Sequence, residues 1–279
     1  MLTKDTKGLS HLLRLGVLLL CALAGPLRAD PTYSFGVVPQ FEAMRLASIW
    51  MPILDELEQR TVYRFEMAGS SDIPTFERSF RSGDFDFAYM NPYHAVVAME
   101  EQGYAPIVRD GGRALFGVLV VAKDSPYHSP GDLAGQTIAF PAPNALGASL
   151  LMRADLTRRF GLEFAPLYAA THSSAYLNVV LGRAAAAGGV MATLDSQPAD
   201  VRAQLRTLYE TARVPPHPVV VHPRVPDAVR EAVTRAFLDM GQTDEGRALL
   251  AEVPFRQIVT ANAVEYHPLR DMQLERFVQ

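Results

Sequence analysis

The chain has 279 residues, 49% of them apolar and 20% charged, a composition that excludes a disordered or fibrous protein. Its 26 Lys and Arg against 30 Asp and Glu give a net charge of −4, without the basic footprint of a nucleic-acid binder. One cysteine excludes a disulfide framework and any cysteine-rich metal site.

Residues 1–29 have the layout of a cleavable signal peptide. Lys4, Lys7 and Arg14 precede the uncharged run Leu15 to Leu23, Gly25 and Pro26 break it, and Leu27-Arg28-Ala29 ends on a small residue. The run is shorter than the ~20 residues of a bilayer span. Cys21 follows leucines as in a lipoprotein, but Leu20 stands where lipoproteins carry a small residue. Cleavage near Ala29 leaves 22 cationic and 29 acidic residues and no cysteine, which suits an oxidising compartment, the bacterial periplasm.

The mature chain alternates strands and helices. Tyr33 to Val38 reads as a strand. Phe41 to Arg60 has helical spacing, with Met44, Ala47, Trp50 and Leu54 on one stripe and a break or kink expected at Pro52. Thr61 to Met67 alternates as a strand. Ser70-Ser71-Asp72 offers N-caps for a helix from Ile73 to Arg81. Phe85 to Met90 is a strand, and Tyr93 to Gln102 a helix closed by Gly103. Phe116 to Ala122 is continuously apolar, as in a strand buried on both faces. A strand at Thr137 to Phe140 and a helix from Asn144 to Phe160 follow, then a strand at Leu167 to Ala170, a helix from Ser174 to Leu181, and strands at Gly188 to Met191 and Pro215 to Val221. The stretch from Pro226 to Leu250 is helical. Such alternation predicts a parallel or mixed sheet covered by helices. Composition alone does not choose between one large α/β domain and two lobes bracketed by the apolar strands near 116–122 and 217–221.

Enzyme signatures are absent: no dinucleotide fingerprint, phosphate loop, zincin motif, EF-hand or nucleophile elbow. His217 and His222 would fall on opposite faces of one strand, which argues against a metal site. Three strand-to-helix turns remain as candidates. Pro141 to Ser149 joins two prolines to the small residues Ala145, Gly147 and Ala148. It reads as an anion site of free amides, or as an ordinary turn capped by Asn144. Thr171-His172-Ser173-Ser174 offers an imidazole and hydroxyls to a ligand, or a plain helix cap at Ser173 or Ser174 with His172 on the surface. Asp86 to Tyr93 places Asn91 and Tyr93 at the carboxyl end of a strand, where open α/β sheets bind ligands. By the same rule Gln40 ends the first strand and Ser70 the second.

These segments, in this order, resemble the solute-binding proteins of phosphate, phosphite and phosphonate ABC importers. The matching pieces are Gly36-Val37-Val38-Pro39-Gln40, Gly83 to Pro92, and Asp124-Ser125-Pro126 with Asp132 to Gly135. Ala139 to Asn144, Thr171 to Ser174, and Gly182 with Ala187-Gly188-Gly189-Val190 complete the set, which covers roughly 33–250. The resemblance implies a type II periplasmic binding protein, with two α/β lobes joined by a two-strand hinge around a ligand cleft. Lobe 1 would comprise 30–115 and 216–279, and lobe 2 would comprise 116–215. It also implies a phosphorus oxyanion as ligand, held by the amides of Asn144 to Ser149, the Ser149 hydroxyl and His172, with Tyr93 or Asn91 reaching across. The turn carries fewer hydroxyls than its better-known relatives, and Ala185 replaces an Asp found where amine-bearing ligands are bound.

The expected function is therefore the binding component of an ABC importer, a monomer without catalysis or cofactor that delivers a small anionic solute to an inner-membrane permease. A receptor reporting to a membrane sensor kinase or cyclase is the alternative. No nucleic-acid partner is expected.

Overall fold

A computed structural model describes residues 31–253 and 255–278. The signal-peptide expectation, with Cys21 and the cleavage point near Ala29, lies outside the described residues.

Two sheets organise the chain. The first contains β1 (Thr32–Val37), β2 (Arg64–Ala68), β3 (Phe87–Tyr89), β4 (Ala105–Asp110), β10 (Pro218–Val221) and β11 (Ile258–Thr260), in the order β11-β4-β10-β3-β1-β2. The second contains β5 (Gly117–Ala122), β6 (Thr137–Phe140), β7 (Ala165–Tyr168), β8 (Ala186–Val190) and β9 (Leu205–Glu210), in the order β7-β6-β8-β5-β9. β1 pairs in parallel with β2 and β3, whereas β10 runs antiparallel to β3 and β4. In the second sheet β6 is parallel to β7 and β8, and β5 is antiparallel to β8 and β9. The chain crosses between sheets after β4 and again after β9. Leu115 and Val214 tie the crossings together, each amide donating to the other's carbonyl at 2.9 and 2.8 Å.

The helices are α1 (Ala43–Arg60), α2 (Ile73–Arg81), α3 (Pro92–Gln102), α4 (Met152–Arg158), α5 (His172–Val180), α6 (Met191–Asp195), α7 (Ala199–Ala203), α8 (Asp227–Met240), α9 (Asp244–Glu252) and α10 (Pro268–Asp271). A π-helical segment, Leu146–Leu151, leads into α4. α1 runs unbroken through Pro52, contrary to the expected break. Pro52 is exposed, so water can take the carbonyl it frees, while Ile49 and Trp50 before it and Ile53, Leu54 and Leu57 after it bury against the sheet. Burial of each such side chain stabilises by roughly 1.5–3 kcal/mol, enough to hold both halves in one helix. The stripe also differs from expectation. Leu46 and Ile49 face inward with Trp50, and Met44 is 87% exposed.

α2 and β6 fall on their expected bounds, and Asp72 caps α2 by accepting from the Thr75 amide at 2.7 Å. The helical stretch after Pro226 divides at Gly241 into α8 and α9. There a Cβ would lie 2.3 Å from Ile258 Cγ2, so glycine lets the chain turn against β11.

After β11 the chain packs against both lobes. Glu265 pairs with Arg109 of β4, and Arg270 with Glu100 of α3 at 2.8 Å. Arg158 of α4 donates to the Met272 and Gln273 carbonyls, each at 2.8 Å. Tyr266, Leu269 and Leu274 pack with Val96 of the first lobe and with Leu150 and Ala154 of the second.

Candidate functional site

The strand directions place one edge of each sheet at the cleft. In the first sheet these are the carboxyl ends of β1, β3 and β4 and, because β10 is reversed, the residue before β10, His217. In the second they are the carboxyl ends of β6, β7 and β8 and the start of β5.

A small cavity of about 20 Å³ lies between these edges. Val38, Gln40, Ile73, Asn91 and His217 line it from the first lobe, and Ala145, Leu146, Gly147, Ala148, His172 and Val190 from the second. That is room for about one water molecule.

Helix N-termini converge here. Asn91 caps α3, its Oδ1 accepting from the His94 amide at 2.9 Å. Thr171 caps α5, accepting from the Ser174 amide at 3.1 Å, so neither Ser173 nor Ser174 is the cap. The π-helical segment begins at Leu146 without a side-chain cap. Ala145 O already takes the Ser149 and Leu150 amides, and the amides of Leu146, Gly147 and Ala148 precede any intrahelical acceptor. N–H groups and dipoles at such termini favour an anion.

The small residues of that turn have a second cause. A Cβ on Gly188 would lie 2.0 Å from Ala148 O, and one on Gly117 2.0 Å from Gly147 O. The turn lies directly on β5 and β8, and side chains on either partner would lift it off.

Two buried histidines flank the cavity. His217 Nε2 is 3.0 Å from Gln40 Nε2 and its ring stacks on Tyr89 at 5.3 Å. As placed, the Gln40 amide donates and the proton of His217 sits on Nδ1; turning the amide over reverses the bond. His172 Nδ1 is 3.1 Å from Thr193 Oγ1, which also contacts Tyr176 Oη at 2.9 Å and the Val190 carbonyl at 2.9 Å. With the one Thr193 hydroxyl proton on the Val190 carbonyl, His172 Nδ1–H donates to Oγ1 and Nε2 is bare; turning that hydroxyl to Nδ1 instead puts the imidazole proton on Nε2, where it can donate to an oxyanion. Burial pushes the imidazole of His172 down to about 4 and that of His217 to about 3, the latter helped by His94, His172 and Arg113. Both are neutral at pH 7.

Gln40, Asn91, Ala145, Gly147, Ala148 and His172 therefore meet at the cavity. Ser70, Tyr93, Asn144, Ser149 and Ser173 do not line it. Asn144 Nδ2 donates to Glu77 Oε2 at 2.9 Å, and Asn144 O accepts from Asn91 Nδ2 at 3.4 Å. Ser149 is fully buried, its Oγ accepting from Arg153 Nε at 3.0 Å. Ser70 and Ser173 are half-buried, and Tyr93 packs beside Val96 and Leu146. Ala185 sits at the opposite end of β8 from Val190 and bears on neither wall. His217 was not among the expected residues. Its signal is the reversed direction of β10, which strand pattern alone does not disclose.

A family model, that of ABC-transporter periplasmic substrate-binding proteins for phosphonate, matches residues 35–266. The chain belongs to that family. This is a family of periplasmic substrate-binding transporter components rather than enzymes, which work with an inner-membrane permease. The phosphonates-binding periplasmic protein of Escherichia coli (strain K12) is 21% identical over 278 residues, covering 93% of this chain and 82% of that one. Two solved structures share the fold. The binding-protein component of an ABC phosphonate transporter from Pseudomonas aeruginosa superposes with a TM-score of 0.77 at 19% identity, covering 89% of this chain and 88% of that one. PhnD1 from Prochlorococcus marinus (MIT 9301), in complex with methylphosphonate, gives 0.79 at 13% identity, covering 88% and 98%. The chain has the type II periplasmic binding fold expected of it.

A second, larger cavity of about 1080 Å³ adjoins the small one. Gln40, Val190 and His217 line both.

Proposed function

We propose that the mature chain is the solute-binding component of an ABC importer that takes a phosphorus oxyanion (phosphate, phosphite or phosphonate) between its lobes, as a monomer and without catalysis. The lobes are taken as 30–115 with 216–279, and 116–215. The observation that carries this reading is the small cavity, where helix N-termini from both lobes and two neutral imidazoles, His172 and His217, converge. Neutral donors and helix dipoles can hold a small anion without the desolvation cost of a buried cation.

The cavity holds about one water, so an oxyanion enters only if its walls part. Because those walls belong to different lobes, opening at the Leu115/Val214 crossings and closing on the ligand is the simplest motion that admits it.

The test is a thermal-shift and calorimetric panel on residues 30–279 with phosphate, phosphite, methylphosphonate and sulfate. A ligand of the folded state alone stabilises by ~2.7 kcal/mol at a hundredfold excess over Kd. We expect a shift with a phosphorus oxyanion that is lost in His172→Ala. A shift with sulfate alone, or with none of the panel, refutes the reading.

A further inference from the structure

Arg153 of α4 is a buried cation with no carboxylate partner among the described residues. It is 6% exposed, and all its bonds go to neutral acceptors. Nε donates to Ser149 Oγ at 3.0 Å, and Nη2 to the Pro143 carbonyl at 2.7 Å and to that of Phe277. The guanidinium lies 5.9 Å over the Tyr168 ring. Burial works against this charge, and buried charges are ordinarily paired.

These bonds bracket the turn whose amides face the small cavity. The helical end of the turn is fixed by its own backbone, since the Ser149 amide donates to Ala145 O at 2.7 Å. The other arm has weaker backbone support. Pro141 and Pro143 have no N–H to give, and the Ala145 amide reaches Ala142 O at 3.4 Å. Asn144 bonds Glu77 and Asn91, which belong to the first lobe, so those bonds part when the lobes do. The Arg153–Pro143 bond lies within the second lobe. Phe277 is held to the same lobe by Arg158, which donates to the Met272 and Gln273 carbonyls and stacks 4.8 Å over the Phe277 ring.

The charge also returns toward the turn. Helical side chains lean toward the N-terminus of their helix, and that of Arg153 reaches a carbonyl ten residues back. Ala148 precedes it by roughly 7 Å of helical rise. Arg153 does not line the cavity, so its desolvation is met on folding and not when a ligand enters.

Resting on the oxyanion reading above, we propose that Arg153 is the positioning residue of the oxyanion turn. It holds the Pro143 arm in place while the lobes are apart, and it sets behind the Leu146 to Ala148 amides a positive charge that a bound oxyanion answers.

The test compares wild type, Arg153→Met and Arg153→Lys with methylphosphonate as the probe. Calorimetry gives Kd for the folded fraction, read from the stoichiometry, and phosphorus NMR follows the second ionisation of the bound ligand against pH. Tyr168 faces the guanidinium and His172 and His217 face the cavity; all three are common to the three proteins, so differences isolate position 153. Arg153→Met should raise Kd about tenfold or more through lost pre-organisation. It should also raise the midpoint of the bound ligand by about one pH unit, because an opposite charge nearby favours the dianion. Arg153→Lys keeps the charge but not the planar fork, so the midpoint should stay at the wild-type value while Kd rises several-fold. If Arg153→Met fails to fold, Arg153→Lys decides: wild-type affinity there overturns the positioning role, and a displaced midpoint overturns the charge. Wild-type Kd and midpoint in folded Arg153→Met overturn the proposal and leave the oxyanion site standing. Wild-type protein that binds none of methylphosphonate, phosphate and phosphite overturns the oxyanion reading itself.

Discussion

Glu77 and Asn144 meet across the cleft, the Asn144 amide donating to Glu77 Oε2 at 2.9 Å while Glu77 Oε1 lies 2.9 Å from His94 Nε2. Glu77 belongs to α2 in the first lobe, and Asn144 to the turn before the π-helical segment in the second. Burial opposes ionisation of Glu77, yet the bonds from His94 and Asn144 hold its carboxyl below the usual range. It is therefore charged at pH 7, and the inter-lobe bond is a charge-assisted one.

Such a bond stabilises whichever arrangement of the lobes contains it, by ~1.5–3 kcal/mol. Asn144→Ala removes it without orphaning His94, because Glu77 keeps that partner. In the proposed closure, Asn144→Ala should shift the ligand-free protein toward open forms and weaken methylphosphonate binding several-fold. Small-angle scattering and calorimetry read these two effects. Unchanged scattering and unchanged affinity would rule out Asn144 as a closing contact.

Ser149 offers a different separation. Its hydroxyl accepts from Arg153 Nε, and Arg153 also donates to the carbonyls of Pro143 and Phe277. Ser149→Ala leaves a buried guanidinium N–H without its partner, at a cost of ~1–3 kcal/mol. Denaturant unfolding should show that loss, with methylphosphonate Kd within about twofold of wild type. A large rise in Kd with stability intact would return the hydroxyl to the ligand.

Much of this architecture was legible in the sequence where local pattern and burial agree. Phe116 to Ala122 read as a doubly buried strand and becomes β5, buried at all but its last residue. Ser70-Ser71-Asp72 announced α2, and Gly103 ends α3 in the left-handed region at φ 72°. β4, β9 and β11 gave no clear signal: Ala105–Asp110 contains Pro106 and charges, Leu205–Glu210 is a half-polar edge, and Ile258–Thr260 is three residues long. At the site, turns following parallel strands were found because the rule for carboxyl ends needs only strand order. His217 and Glu77 escaped it. One precedes a reversed strand, and the other lies on the inner face of a helix whose partner is in the opposite lobe.

The two cavity histidines make stability depend on pH. Their imidazoles titrate at about 4 and about 3 in the folded protein, below the ~6.5 of an unfolded chain. The unfolded state thus binds more protons between those limits. Their stabilising contribution is fully present above pH 6.5 and is lost as pH falls from there toward 4 and 3. Ligand-free protein should lose stability steadily between pH 7 and pH 4, by ~3 kcal/mol for each histidine. Carboxylates titrate at the lower end of this range, so the decisive comparison is the slope between pH 7 and 5. His172→Asn and His217→Gln should each flatten it, and equal slopes in both variants and wild type would show that the imidazoles are not desolvated as described.

Close contact between the turn and the sheet yields the sharpest test of the proposed oxyanion site. A methyl group on Gly188 would sit 2.0 Å from Ala148 O and 2.7 Å from Phe140 Cδ1, and the backbone oxygen cannot move without the turn. Gly188→Ala should therefore destabilise by ~1–3 kcal/mol through overpacking. It should also displace the Gly147 and Ala148 amides and raise the methylphosphonate Kd tenfold or more. Gly182 supplies the control. Its φ is +67° and a Cβ there meets nothing within 4 Å, so Gly182→Ala costs ~1–2 kcal/mol of backbone strain at a site remote from the cavity. Equal stability loss in the two variants, with affinity lost only in Gly188→Ala, ties the oxyanion to the turn amides. Affinity retained in Gly188→Ala would move the ligand off that turn.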